Sequence, residues 1–311
     1  MSPDDSTPHA APLDAPAERL AASEHLRFDP KAAGRRIEPA PGIWQALGLS
    51  LLFYMVFGLV ALPLMMVETL LAPPIRFLIQ GWVAWSSVLV LAKDLGRGSW
   101  SEVFPVTRFS PRLIPGIVLA SVGLLVFAST IAEWIPTPAS WNDLVAELFE
   151  VRYQWAHIAN QVVLAPVAEE LFFRGFVLRG FLARYSVRKA VIASTVLFAL
   201  LHLNPWQGVM ALPLGALFAW LFLRTGSLGP CILGHACANG LYLVILGSYE
   251  LAGNDVETLA AEESSGGPWG LVIGASLATI GFLLLKQQFL SKPWASARLQ
   301  STSSGAAGKS S

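Results

Sequence analysis

Two adjacent glutamates and an arginine interrupt the apolar segment APVAEELFFRGFVLRGF, residues 165–181. On a helix, Glu170 and Arg174 are four positions apart and lie on the same face, where their opposite charges can pair. Glu169 is rotated from Glu170 by about 100°, so it has no such partner on its own helix. We therefore expect Glu170 and Arg174 to form a supporting ion pair. Glu169 is then available for chemistry, as a general base that activates a water molecule.

Two histidines and an asparagine lie in two later apolar segments. His202 ends the sequence FALLH, and His235 begins HACAN, which ends at Asn239. The spacing of His235 and Asn239 places them one helical turn apart on the same face. If the helices that carry them pack against the helix with Glu169, a carboxylate, two imidazoles and an amide meet. Such groups can activate water and stabilise an oxyanion.

The composition indicates that a membrane must surround these groups. The chain has 311 residues, of which 54% are hydrophobic and 14% charged, whereas a soluble domain has about a quarter charged residues. Its formal net charge is zero, and no basic tract with interleaved aromatic residues occurs, so nucleic acid is not an expected partner. Cys231 and Cys237 fit neither a disulfide framework nor a CxxC site.

An apolar helix needs about 20 residues to cross roughly 30 Å of hydrocarbon, and the chain contains eight stretches near that length. We therefore predict an all-α fold, a polytopic transmembrane helix bundle of about eight spans with disordered polar tails. The fifth and sixth stretches are short and separated by the turn signal LNPWQG, so they form either two thin spans or one re-entrant hairpin. The predicted spans are residues 43–70, 75–92, 113–134, 157–179, 189–203, 207–223, 228–248 and 268–287.

The positions of lysine and arginine predict the orientation, because these residues accumulate in short cytoplasmic loops. If eight spans alternate, nearly all flanking cations fall on one side, and acidic loops around Glu147 and Glu257 fall on the other. We therefore expect a multi-pass integral protein of the plasma (inner) membrane with both termini in the cytoplasm. Residues 1–42 and 288–311 lack apolar runs and are predicted to be disordered tails.

The segments EELFFR, FALLH and HACAN match in type, order and approximate spacing the EExxxR, FxxxH and HxxxN motifs of one family. The sequence resembles the CPBP family (CAAX-protease and bacteriocin-processing, or Abi) of intramembrane endopeptidases, which includes CAAX prenyl protease 2-like proteins. The resemblance covers roughly residues 155–248, which we expect to form the catalytic transmembrane core. The N-terminal transmembrane helices, residues 43–134, and the final transmembrane helix, residues 268–287, lie outside it.

The resemblance implies cleavage of a membrane-embedded or lipidated protein or peptide near the cytoplasmic face of the bilayer. By analogy, Glu169 would deprotonate a water molecule, His202 would orient it, and His235 and Asn239 would donate hydrogen bonds to the oxyanion. Relatives are described both as metal-free glutamic proteases and as metalloproteases. We favour the metal-free form and assign no cofactor. The alternative is a zinc enzyme with His202 and His235 as metal ligands and Glu169 as the third, since catalytic zinc takes three protein ligands and a water.

Other functions are compatible with the same residues. Intramembrane glutamate and histidine carry protons in transporters, but many transporters contain inverted repeats, and residues 43–134 and 157–248 show no convincing repeat. Glu170 with Arg174 could be purely structural, and histidine and asparagine can join helices inside membranes. A catalytically inactive membrane scaffold is the third possibility. The complete set of candidate catalytic residues argues against it.

Overall fold

The computed structural model describes residues 41–66, 71, 73–136, 154–251 and 267–290, and within these ranges it contains helices and no strands. The all-α fold predicted from the sequence is therefore confirmed. A short 3-10 turn, Pro111–Leu113, leads into the fourth helix. The helices are α1 (Ile43–Met65), α2 (Pro73–Leu95), α3 (Trp100–Val103), α4 (Ile114–Ala132), α5 (154–182), α6 (Val187–Leu200), α7 (Pro205–Thr225), α8 (Gly229–Leu251) and α9 (Pro268–Leu290).

Each of the eight predicted apolar stretches overlaps a long helix, and the architecture is that of an integral membrane protein. The count of eight spans is not confirmed, because α5, α6 and α8 are not among the helices long and apolar enough to cross a membrane. With 14 residues, α6 is about 21 Å long, shorter than the hydrocarbon core. Within the described residues, five segments qualify: Ile43–Leu64, Ile75–Leu95, Pro111–Ala132, Pro205–Thr225 and Pro268–Leu290.

Parts of the predicted organisation lie outside the described residues. These parts are most of the two predicted tails, residues 1–42 and 288–311, and the acidic loops around Glu147 and Glu257. Residues 288–290, assigned to the C-terminal tail from the sequence, belong to the last turn of α9. The cytoplasmic placement of the termini stays a prediction.

The helix that carries the two glutamates, α5, is not uniform. It is α-helical at its ends and over Ala165–Glu170, whereas Ile158–Leu164 and Leu171–Leu178 form π-helical turns, in which residue i bonds to residue i+5. The sequence predicted an ordinary helix here. Pro166 contributes to the difference, because proline has no N–H to continue the α-helical hydrogen bonds. Wide turns of this kind are rare and are frequently found at functional sites.

The charged segment of α5 lies inside the bundle, where α5 contacts α2, α6, α7 and α8. Six buried phenylalanines form much of the surrounding core. They are Phe172, Phe173, Phe176, Phe181, Phe198 and Phe218. The ionisable groups of α5 are therefore enclosed by apolar side chains as well as by the expected bilayer, so each buried charge requires a partner from the protein.

The beginning of α8 is held by the loop that follows α3. Gly226 ends α7 with a φ of 63°, a left-handed conformation that glycine adopts without steric cost. The Ser227 hydroxyl then donates to the carbonyl of Thr107 at 2.8 Å and accepts from the N–H of Thr107 at 3.0 Å. These bonds fix where α8 starts, and thereby help to fix the helix that carries His235.

Helices α4 and α9 form the most extensive helix contact of the described bundle, and their backbones touch. A Cβ atom at Gly123 would overlap the backbone nitrogen of Ala278, and one at Gly274 would overlap the backbone nitrogen of Phe127. Glycine is needed at these positions because small residues allow the close backbone approach that stabilises helix pairs in membranes.

The substitution Gly123→Ala is expected to lower the free energy of unfolding by about 1–3 kcal/mol, because the added methyl overpacks the α4–α9 contact. The matched control is Gly58→Ala on α1, where nothing lies within 4 Å of the position of a new Cβ. Alanine has the higher helix propensity, so this control is expected to be neutral or stabilising. Unfolding in detergent measures both variants, and an equal response would contradict the close-packing explanation.

Candidate active site

Arg174 and Glu170 form a buried ion pair on α5. Nη1 of Arg174 donates to Oε1 of Glu170 at 2.9 Å, and the side chains are 1% and 0% exposed. Nη2 donates to the carbonyl of Gly215 on α7 at 2.9 Å. The guanidinium carbon lies 4.5 Å from the ring centroid of Phe198 and 5.4 Å from that of Phe218. Acceptors and aromatic faces thus replace part of the hydration that the cation loses on burial.

His235 on α8 lies close to both glutamates of α5. Its Nδ1 is 2.9 Å from Oε1 of Glu170, the same oxygen that Arg174 contacts. Its Nε2 is 3.9 Å from Oε2 of Glu169, which is too long for a hydrogen bond. For Glu170, the sequence indicated only the contact with Arg174. The contact of Glu170 with His235 depends on how α5 and α8 pack, which spacing along one helix does not predict.

Glu169 lies at the edge of this cluster. Its side chain is 18% exposed, yet its Oε2 is buried and has no hydrogen-bond partner among the described residues. Burying a carboxylate oxygen is costly unless it meets a donor. Because Oε2 of Glu169 and Nε2 of His235 are 3.9 Å apart, both can contact one oxygen atom, of a water or of a carbonyl, at hydrogen-bond distance.

His202 lies in the turn after α6, not inside a span as the sequence predicted. The helix ends at Leu200, two residues earlier, because residues 201–204 form the connection to α7. Nδ1 of His202 is 2.9 Å from the carbonyl oxygen of Phe198. The Phe198 ring lies edge-on to both histidines, with centroid distances of 5.0 Å to His202 and 5.9 Å to His235. The two imidazoles are therefore linked through one aromatic ring.

Asn239, one turn after His235 on α8, donates from Nδ2 to the carbonyl of Gln161 on α5 at 2.8 Å. Gln161 lies in the first π-helical segment, where its carbonyl would accept from the residue five positions later. That residue is Pro166, which has no N–H to donate. The asparagine amide thus satisfies a carbonyl that the proline leaves without its helical donor. One N–H of the amide is used in this bond, and a second remains.

Several contributors to the site were not predicted. Phe218 stacks on the His235 ring with centroids 5.3 Å apart, and the carbonyl of Gly215 accepts from Arg174. Gly215 and Phe218 are three residues apart and therefore share one face of α7. This spacing could have indicated that both contact the same neighbours. Tyr54 on α1 lies within electrostatic range of Glu169. No pattern around Tyr54 indicates this, because it depends on where α1 packs.

The described residues do not fit the zinc site considered from the sequence. Within them, no three histidine, cysteine, aspartate or glutamate side chains are grouped closely enough to hold a metal ion. The assignment of His202 and His235 as metal ligands is therefore not supported, and we derive no step through a metal.

The segment that carries the candidate site is similar to a known protein family. Residues 151–241 match the family model described as type II CAAX prenyl endopeptidase, Rce1-like. A curated relative, the uncharacterized protein YyaK of Bacillus subtilis (strain 168), is 32% identical over 133 residues. That match covers 39% of this chain and 43% of the relative, so the chain spans less than half of the relative's length. No solved structure matches the chain.

The matched range contains every candidate site residue, namely Glu169, Glu170, Arg174, His202, His235 and Asn239. The resemblance drawn from the three short motifs is thereby confirmed for this segment: residues 151–241 are similar to the Rce1-like type II CAAX prenyl endopeptidases.

Proposed function

We propose that the protein is an intramembrane endopeptidase that hydrolyses a peptide bond of a membrane-associated protein or peptide by a metal-free glutamate mechanism. The proposal rests on two atoms that face each other. Oε2 of Glu169 is buried and has no hydrogen-bond partner among the described residues. Nε2 of His235 lies 3.9 Å from it. A carboxylate oxygen and an imidazole nitrogen facing each other are the groups that a water and a peptide carbonyl require.

In the first step, Glu169 takes a proton from a water molecule while the water oxygen attacks the carbonyl carbon of the peptide bond. His202 helps to orient this water. Because the Glu169 side chain is 18% exposed, the carboxylate is accessible from outside the protein core, unlike Glu170. General-base assistance of this kind contributes about 10²–10⁴-fold to the rate.

In the second step, the carbonyl oxygen becomes an oxyanion that accepts hydrogen bonds from His235 and Asn239. With Nδ1 directed at Glu170, His235 donates from Nε2 when its ring carries both protons. Asn239 donates with the amide N–H that does not bond Gln161. The carbon–nitrogen bond then breaks, and Glu169 returns its proton to the leaving amine. Losing one oxyanion donor typically costs about 3–4 kcal/mol of barrier.

The proposal includes the organisation of the rest of the chain. Residues 155–248 form the catalytic core, residues 43–134 and 268–287 form flanking transmembrane helices, and both termini are cytoplasmic. The substrate is membrane-embedded or lipidated, which the similarity of residues 151–241 to type II CAAX prenyl endopeptidases supports. An Rce1-like domain supports a C-terminal CaaX peptide, prenylated or not, as the first substrate to test.

The full-length protein in detergent is expected to cleave such peptides, with both new termini visible by mass spectrometry. We expect the rate to be unchanged by a strong chelator, since the proposed steps use only side chains and water. Each peptide is offered with and without its prenyl group, to separate recognition of the lipid from recognition of the sequence. Loss of activity with chelator and recovery with added zinc would contradict the metal-free mechanism. Failure to cleave any peptide of either kind would contradict CaaX substrates.

A further inference from the structure

The buried oxygen Oε1 of Glu170 serves two partners from two helices. It accepts from Nη1 of Arg174 at 2.9 Å and lies 2.9 Å from Nδ1 of His235. Glu170 is 0% exposed and His235 5% exposed, so water does not compete for either contact. A pairing of Glu170 with Arg174 alone would not require the shared oxygen to face α8.

The contact with Glu170 fixes the orientation of the His235 ring. As the ion-pair partner of Arg174, the Glu170 carboxylate accepts hydrogen bonds. Nδ1 of His235 is therefore the donor, and the hydrogen bond of one ring nitrogen orients the whole ring. The opposite nitrogen, Nε2, is consequently turned toward Oε2 of Glu169 at 3.9 Å.

The ring and the arginine are fixed by the same aromatic side chains. Phe218 stacks on His235 with an interplanar angle of 20°, and Phe198 meets it at 89°. Arg174 lies over these same two rings. A continuous chain of contacts thus runs from the arginine through Glu170 to the imidazole, and each member has little freedom to rotate.

We propose that Glu170 is a positioning residue for His235: its carboxylate accepts the hydrogen bond of Nδ1–H and fixes the ring, so that Nε2 faces Glu169 and the reacting carbonyl. Arg174 holds Glu170 in place and acts on the imidazole only through it. This inference rests on the proposed function for its catalytic consequence, but the proton on Nδ1 can be measured without any substrate.

The test compares two double variants that both remove the buried ion pair. Glu170→Leu with Arg174→Met removes the acceptor for Nδ1, whereas Glu170→Gln with Arg174→Met keeps a carbonyl oxygen there. Neither variant leaves an unpaired buried charge, since replacing both members of a buried pair by uncharged residues is often tolerated. Their only designed difference is the hydrogen bond to His235.

The first readout is nitrogen NMR of the full-length protein labelled with ¹⁵N-histidine in detergent, with the His235 signals assigned by their loss in His235→Gln. We expect a protonated Nδ1 in the wild type and in the glutamine double variant, and loss of this state in the leucine double variant. The second readout is peptide cleavage. The leucine variant is expected to lose a further 10–100-fold or so in kcat relative to the glutamine variant, with KM little changed.

The two readouts separate the possible failures. If both double variants keep Nδ1 protonated and have the same kcat, Glu170 is only a counter-ion of Arg174 and the positioning role is wrong. If Nδ1 loses its proton only in the leucine variant and no protein cleaves any peptide, the positioning role holds and the proposed function is wrong. A change in kcat without a change at Nδ1 would also overturn the positioning role.

Discussion

The substitution Glu169→Gln is expected to lower kcat for peptide cleavage by about 10²–10⁴-fold, the contribution of a positioned general base. The amide has nearly the shape of the carboxylate but cannot take a proton from water. Because the Glu169 side chain is at the edge of the cluster and, among the described residues, has no ion-pair contact shorter than 3.9 Å, we expect the protein to keep its fold and its substrate affinity. The measurement is steady-state cleavage together with thermal unfolding in the same detergent.

The matched control for this prediction is Glu133→Gln. Glu133 is an exposed residue immediately after α4, and its neutralisation is expected to leave kcat within about twofold of the wild-type value, since it lies outside the matched domain. Activity that survives in Glu169→Gln at the level of this control would remove Glu169 from the mechanism. Equal losses in both variants would indicate a general effect of charge.

The substitution Arg174→Met is expected to lower the free energy of unfolding by about 3–5 kcal/mol, because it leaves the carboxylate of Glu170 buried without its cation. The size of the effect follows from complete burial: the pair is 1% and 0% exposed. Adding Glu170→Gln to Arg174→Met removes the uncompensated charge and is expected to recover much of the loss. Thermal or denaturant unfolding in detergent measures all three proteins.

Arg224→Met is the matched control, since Arg224 also lies over aromatic rings, 5.9 Å from Trp220 and 5.8 Å from Phe289, but is only half-buried. We expect it to cost no more than about 1 kcal/mol, the range of an exposed cation–aromatic contact. If Arg174→Met is no more destabilising than this control, the arginine is not the main compensation for the charge of Glu170.

The positions of the long helices could be predicted because the length of an apolar stretch is enough to indicate a helix in a bilayer. A stretch without polar side chains must satisfy its backbone hydrogen bonds within itself, and a helix does so. This reasoning identified all eight stretches that the structure shows as long helices. The count of eight spans is not confirmed, because α5, α6 and α8 are not among the described helices that are long and apolar enough to cross a membrane.

The contacts of the candidate site could be predicted only in part. Spacing along one helix correctly indicated the contact of Glu170 with Arg174. It could not indicate that Asn239 bonds Gln161, because that bond depends on a π-helical turn and on a proline five residues beyond the accepting carbonyl. Nor could it indicate that the two histidines and a glutamate would not assemble a three-ligand metal site among the described residues.

By itself, the sequence determined that this is a helical membrane protein and which charged and polar residues its apolar segments enclose, because hydropathy and residue identity act locally along the chain. It also indicated a family resemblance, since three short motifs in order lie in the segment that matches the Rce1-like family model. Only the tertiary structure decided the partners. The rotation and packing of α5, α7 and α8 bring one oxygen of Glu170 to both Arg174 and His235, and contacts between helices depend on distances that no single segment encodes.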